Sequence, residues 1–141
     1  KSMIDVNMGT YLYSDKFFLG YATNQLAGDK ISFGGATSIL DLHHNIMAGY
    51  GIDVNDDFRI TPSVYLKAVG GAPMSYDLNL RGDYKNYFGG VTYRNEDAIA
   101  IMAGIVLEDM IRVSYSYDIN TSALSEYNSG GHELVLGFMV K

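Results

Sequence analysis

From Asn45 to Lys141 the sequence alternates apolar residues with polar or very small ones, in stretches of about ten residues joined by short polar turns. The clearest stretch is Phe58-Arg-Ile-Thr-Pro-Ser-Val-Tyr-Leu-Lys67. Phe58, Ile60, Pro62, Val64 and Leu66 point one way, and Arg59, Thr61, Ser63, Tyr65 and Lys67 the other. A period of two is the period of a strand, because successive Cβ atoms leave opposite faces of the pleat. Length constrains the fold as much as period does. A soluble strand runs about 5–6 residues, whereas a tilted strand that crosses a bilayer needs about 9–11. What this chain can fold into depends on which solvent its apolar face meets.

The pattern predicts about nine strands, near 3–13, 17–25, 44–54, 58–68, 74–84, 87–94, 98–107, 110–119 and 132–140. Ser14-Asp-Lys16, Asn55-Asp-Asp57, Lys85-Asn86 and Glu108-Asp109 read as tight hairpin turns. Longer connections, 26–43, 69–73, 95–97 and 120–131, alternate with them. Short turns on one edge and long loops on the other are the habit of transmembrane β-barrels. Aromatics beside the turns point the same way. Tyr11, Tyr13, Phe17 and Phe18 flank the first turn, Phe58 follows the second, and Tyr84, Tyr87 and Phe88 flank the third, as an interfacial girdle requires. The expected fold class is all-β: a transmembrane antiparallel up-and-down β-barrel. A small soluble barrel would show the same alternation with its faces reversed, so strand length, girdles and loop asymmetry carry the distinction. The parity of about nine strands predicts an additional strand upstream of Lys1, which makes 1–141 the C-terminal portion of a larger even-stranded barrel.

Composition narrows the function classes. No run approaches the 18 or so apolar residues of a membrane helix. A formal net charge of -6 offers no basic stripe for nucleic acid. The absence of cysteine excludes a disulfide scaffold, thiol catalysis and zinc–thiolate sites. Lys1-Ser-Met-Ile-Asp5 has no apolar core of a signal peptide, so an exported protein implies a cleaved or missing N-terminus.

Candidate chemistry is sparse. Asp41, His43 and His44 are the densest set of metal-ligand types, yet adjacent histidines on a strand face opposite ways and read as loop-edge polar residues. Asp53-Val-Asn-Asp-Asp57 begins like a calcium loop but has Phe58 where glycine is needed and Val64 where glutamate is needed. Arg81-Gly-Asp83 matches an integrin-binding tripeptide and lies within a strand. His132 near Ser122, Ser125 and Ser129 lacks a nucleophile elbow. These patterns predict no catalytic, metal or cofactor site. The inward-facing charges Asp77, Arg81, Asp83, Arg112, Asp118 and Glu133 are expected either to brace the lumen as a cross-strand network or to line a channel. Leu124 and Tyr127 are the apolar anchors expected for a partner on the most polar loop, since aromatics dominate interface energy.

Several segments together resemble the C-terminal half of the PorP/SprF family, outer-membrane proteins of the type IX secretion and gliding system of Bacteroidetes. They are Asp5-Val-Asn-Met-Gly-Thr-Tyr-Leu-Tyr13, Lys16-Phe-Phe-Leu-Gly20 leading to Asn24-Gln-Leu26, Ala48-Gly-Tyr50, Asp57-Phe-Arg-Ile-Thr-Pro-Ser63 and Gly71-Ala-Pro-Met-Ser-Tyr-Asp-Leu-Asn-Leu80. Tyr115-Ser-Tyr-Asp118, Ser122-Ala-Leu-Ser125 and Gly131-His-Glu-Leu134 complete the set. The resemblance implies location in the outer membrane and contact with its lipid. It further implies no enzymatic activity, and partnership with periplasmic secretion and gliding components and with secreted surface adhesins. A porin-like small-solute channel is the alternative. The chain departs from the usual barrel ending, closing on Phe138-Met-Val-Lys141 rather than on an aromatic residue.

Overall fold

The computed structural model describes residues 6–26, 30–33, 36–39, 41–95, 97–121 and 130–139. Every regular element among them is a strand. These are β1 (Met8–Tyr13), β2 (Phe17–Asn24), β3 (Lys30–Phe33), β4 (Ala36–Ile39), β5 (His43–Tyr50), β6 (Ile52–Asn55), β7 (Phe58–Val69), β8 (Ser75–Tyr84), β9 (Tyr87–Arg94), β10 (Ala98–Leu107), β11 (Ile111–Asn120) and β12 (Gly131–Phe138). All but β3 and β4 form a 10-stranded sheet in the order β1-β2-β5-β7-β8-β9-β10-β11-β12, with β6 paired to β7. Every pairing is antiparallel and each strand of the path neighbours the next, which is up-and-down topology. β1 and β12 are the two edges and run in the same direction.

Three elements differ from the alternation read in the sequence. The strand expected over 3–13 begins at Met8, with residues 6 and 7 outside it and 3–5 outside the described residues. The stretch 44–54 breaks at Gly51 into β5 and β6, and the register shifts between Asp53 and Asn55. At the break, the Arg59 guanidinium occupies the space a side chain at 51 would fill and donates to the Asp15 carbonyl. The connection 26–43 carries its own hairpin, β3–β4, in place of a plain loop.

The tight turns have local causes. Ser14 Oγ accepts from the N–H groups of Lys16 and Phe17 at 3.3 and 3.1 Å. Asn55 Oδ1 accepts from the Asp57 N–H at 3.0 Å. Glu108 and Asp109 both take left-handed φ, +50° and +55°, the type I′ combination that matches strand twist. Main-chain bonds then tie each turn to a neighbouring strand or turn: Gly51 to Lys16, Lys85 to Asp57, Val106 to Asn86 and Met139 to Met110, at 2.6–3.1 Å.

The registers also fix the stagger. One row of paired residues runs Tyr13, Phe18, Gly49, Ser63, Asn79, Thr92, Ala100, Asp118, Gly131. It starts at the tight turn in β1 and ends seven residues from the turn-side end of β12, counting from Gly131 to Phe138. With about 3.3 Å per residue and about 4.8 Å per strand, seven residues over eight strand steps give a tilt of roughly 31°. That is close to the 35–45° or so of transmembrane barrels.

The sheet is a single layer, and its two faces differ sharply. The registers place Leu19, Ile46, Val64, Leu78, Leu80, Val91, Ile101, Leu134 and Leu136 on one face. The described residues that the strands place on this face include no Asp, Glu, Lys or Arg. Its side chains are bare: Ile101 is 53 % exposed, Leu134 66 % and Phe138 74 %. Among the described residues only two apolar side chains are buried, Phe88 and Ala98, and both lie on the polar face. No water-excluded apolar core forms among the described residues, so the apolar face needs an apolar solvent.

The aromatic residues divide by register. Phe17, Tyr50, Phe58, Tyr84, Tyr87 and Phe138 lie on the apolar face toward the tight turns. Tyr11, Tyr13 and Phe18 lie on the polar face, where Tyr11 stacks on Tyr13 and Phe18 at 5.8 and 6.1 Å. Phe88 is also on the polar face. Of the aromatics flanking the first and third turns, only Phe17, Tyr84 and Tyr87 are therefore girdle residues, because neighbours in sequence leave opposite faces.

Candidate functional site

The polar face carries the charged side chains of the strands, most of them in two clusters. The first is an ion-pair chain across β7, β8, β9 and β11. Lys67 Nζ donates to Asp77 Oδ2 at 2.9 Å, and Arg94 Nε stands 3.8 Å from Asp77 Oδ1. Arg94 Nη1 also lies 3.3 Å from Asp97 and 4.0 Å from Asp118. Arg94 reaches Asp118 over β10 because the intervening residues are small, Ala98 and Ala100. Asp77 is only 7 % exposed, which makes it the buried centre of the chain. A carboxylate this deep is stable as an ion only beside cations.

The second cluster is built on Phe88, which is 6 % exposed. The Arg81 and Arg112 guanidinium carbons stand 4.3 and 5.4 Å from its ring centroid. Arg81 grips Asp83 through Nη2 at 2.6 Å and Nε at 3.0 Å. Arg112 has no carboxylate partner among the described residues. The ring lies over Gly104 of β10, where a β-carbon would overlap it. A glycine covered by a cross-strand aromatic is a recurrent packing device of curved sheets.

Between the clusters, Thr92 Oγ1 donates to Asn79 at 2.7 Å, and on the β5 side of the first cluster the Tyr65 hydroxyl donates to Asn45 at 3.0 Å. Near the β1 edge, Gly9, Gly20 and Ala22 floor a hollow of about 330 Å³ walled by Tyr11, Met47 and Tyr65.

All six charges singled out in the sequence, Asp77, Arg81, Asp83, Arg112, Asp118 and Glu133, share this face. The structure joins Asp77 to Asp118 through Arg94, and gathers Arg81, Asp83 and Arg112 around Phe88. Glu133 stands apart, accepting from Ser116 Oγ at 3.5 Å. Lys67, Arg94 and Phe88 are the members that sequence reasoning left out of the set. Their parity was legible, but their partners depend on register.

Leu124 and Tyr127 lie outside the described residues. Among the described residues no group of three His, Cys, Asp or Glu could hold a metal ion. His43 and His44 face opposite sides of the sheet. Asp53 pairs with Arg59 at 3.3 Å. Arg81 and Asp83 of the Arg-Gly-Asp tripeptide bind each other.

The family described as type IX secretion system membrane protein PorP/SprF matches residues 1–138. Comparisons with curated proteins and with solved structures give no match. No helix among the described residues is long and apolar enough to cross a membrane. Helices and closed barrels are the only structures that satisfy every backbone group in lipid, so a membrane protein built of these strands crosses the outer membrane as a barrel. The chain therefore belongs to the PorP/SprF family, the outer-membrane β-barrel components of the type IX secretion system.

Proposed function

We propose that the chain is a non-enzymatic docking barrel of the secretion and gliding machinery. Its long connections hold secreted surface proteins of the adhesin type, and its tight turns meet periplasmic components. The observation that carries this reading is the asymmetry of the two edges. The turn edge is laced by main-chain bonds and so presents a rigid template. It also displays Asp15, Asp56, Glu108 and Asp109, which make no ion pair among the described residues. The opposite edge carries the long connections, including 120–131 with Leu124 and Tyr127.

The polar face becomes the lumen in this reading. Its charges neutralise one another across four strands, which supports a braced interior and a passive, positional mechanism. Partner binding is tested by deleting residues 122–127 from the full-length protein and capturing secreted surface proteins on it. Loss of capture, with heat-modifiable gel migration intact, is the expected result. Undiminished capture sinks the assignment of that loop.

A second reading, a porin-like small-solute channel, draws on Arg112, a cation without a carboxylate partner among the described residues. Single-channel conductance in a planar bilayer that changes in Arg112→Glu would favour it. A silent barrel favours docking.

A further inference from the structure

Among the described residues that the strands place on the apolar face, the nitrogen-bearing side chains are two imidazoles on the loop side, His44 of β5 and His132 of β12, and the Asn55 carboxamide beside a tight turn. Each imidazole is bonded to a tyrosine of the adjacent strand. The Tyr21 hydroxyl stands 2.8 Å from His44 Nδ1, and the Tyr115 hydroxyl 2.5 Å from His132 Nδ1. The geometry repeats: in both, the tyrosine lies diagonal to the histidine, two residues from its direct partner, Thr23 or Tyr117. A phenol is the better donor, so it donates to Nδ1 and leaves the proton of a neutral ring on Nε2. That N–H has no acceptor among the described residues. Thr23, directly opposite His44 and 7 % exposed, also has an Oγ1 without a partner.

The two pairs sit far apart on the sheet, yet stagger brings them to one height. His44 is five residues on the loop side of Gly49, two strands along the row that starts at Tyr13. His132 is one residue on the turn side of Gly131, eight strands along the same row. At the tilt of about 31°, each strand step lifts the row about 2.5 Å and each residue rises about 2.8 Å, which puts His44 about 19 Å and His132 about 17 Å above the Tyr13 level. By the same reckoning Tyr76, Tyr93 and Tyr117 stand at about 15–18 Å, while Phe17, Tyr50 and Phe138 fall within about 2 Å of zero. The aliphatic residues fill the interval, as an apolar band between two girdles requires.

We infer that Tyr21–His44 and Tyr115–His132 are two lipid-headgroup sites on the loop side of the barrel, each offering Nε2–H to a phosphate oxygen. The headgroup phosphate is the acceptor that stands at this depth, just beyond the hydrocarbon. The tyrosines are positioning residues that fix the tautomer and ring orientation. The sites are independent of the docking reading, because they need only the membrane setting.

The test uses the full-length protein in nanodiscs of phosphatidylglycerol or of a phosphate-free galactosyl diacylglycerol, with retained lipid counted by native mass spectrometry. His44→Phe/His132→Phe is expected to retain at least twofold less phosphatidylglycerol than wild type and the same amount of galactolipid. Equal retention of phosphatidylglycerol, or an equal loss of both lipids, overturns the inference. Should that double variant fail to show heat-modifiable migration, Tyr21→Phe/Tyr115→Phe keeps both imidazoles and is expected to show the same selective loss to a smaller degree. No selective loss there overturns it as well.

Discussion

Lys67 Nζ donates to Oδ2 of Asp77 at 2.9 Å, a diagonal contact two residues from Tyr65, the direct partner of Asp77. The bond anchors a carboxylate that is 7 % exposed. Removing the carboxylate leaves Lys67 without its partner at a partly buried spot and Arg94 with only Asp97 and Asp118. Asp77→Ala is expected to lower the unfolding free energy by about 2–4 kcal/mol. Lys67→Met leaves Arg94 as a partner and is expected to cost about 1 kcal/mol. Denaturant unfolding in lipid vesicles, followed by far-UV circular dichroism, measures both. An Asp77→Ala variant as stable as wild type would show that the ion-pair chain does not brace the sheet.

Phe88 and Gly104 make a second test. A β-carbon at 104 would overlap the Phe88 ring, whereas one at Gly131 meets nothing within 4 Å. Gly104→Ala is expected to destabilise by about 1–3 kcal/mol through overpacking, and Gly131→Ala to be close to neutral. Phe88→Leu in the Gly104→Ala background should recover part of the loss, and a double-mutant cycle reads the coupling. Additive effects would separate the two residues.

The break at Gly51 makes a third. Gly51→Ala is expected to displace the Arg59 guanidinium from the Asp15 carbonyl and from Asp53, its 3.3 Å partner. Amide hydrogen exchange around Asp15 and Lys16 should then quicken, while exchange at Lys85 and Asn86 stays as it is. Unchanged exchange near Asp15 would show that Arg59 does not hold that turn.

The apolar face is tested by depth. Leu80→Arg and Ile101→Arg fall in the middle of the band and are each expected to cost about 2–4 kcal/mol of stability in the bilayer. Tyr84→Arg and Phe138→Arg sit near the turn edge and should cost no more than about 1 kcal/mol. Reversible folding into vesicles gives the four values. A flat profile would mean that this face does not meet hydrocarbon.

Most strand spans, the tight turns and the alternation of the two faces were legible in the sequence, because they are local. Phe58 to Lys67 alternates by itself, and Glu108-Asp109 makes its turn without distant help. The PorP/SprF resemblance also came from the order and spacing of residues. The partners were not legible. Asp77 meets Lys67 and Arg94, and Arg112 meets the Phe88 ring in place of a carboxylate, because the neighbours of a side chain lie on two other strands. The break at Gly51 likewise had no local signature strong enough to override the alternation, whereas the β3–β4 hairpin had one in Gly34-Gly35, the two residues between its strands.

By itself the sequence determined that this chain makes long strands with one apolar and one charged face. Only the tertiary structure decided which charges share an ion pair, which aromatics form the girdles, and that His44 and His132 stand at one height. The physical reason is that a period of two is written along one strand, whereas register and stagger are set between strands. A shift of one residue in any pairing would move a whole strand to the other face.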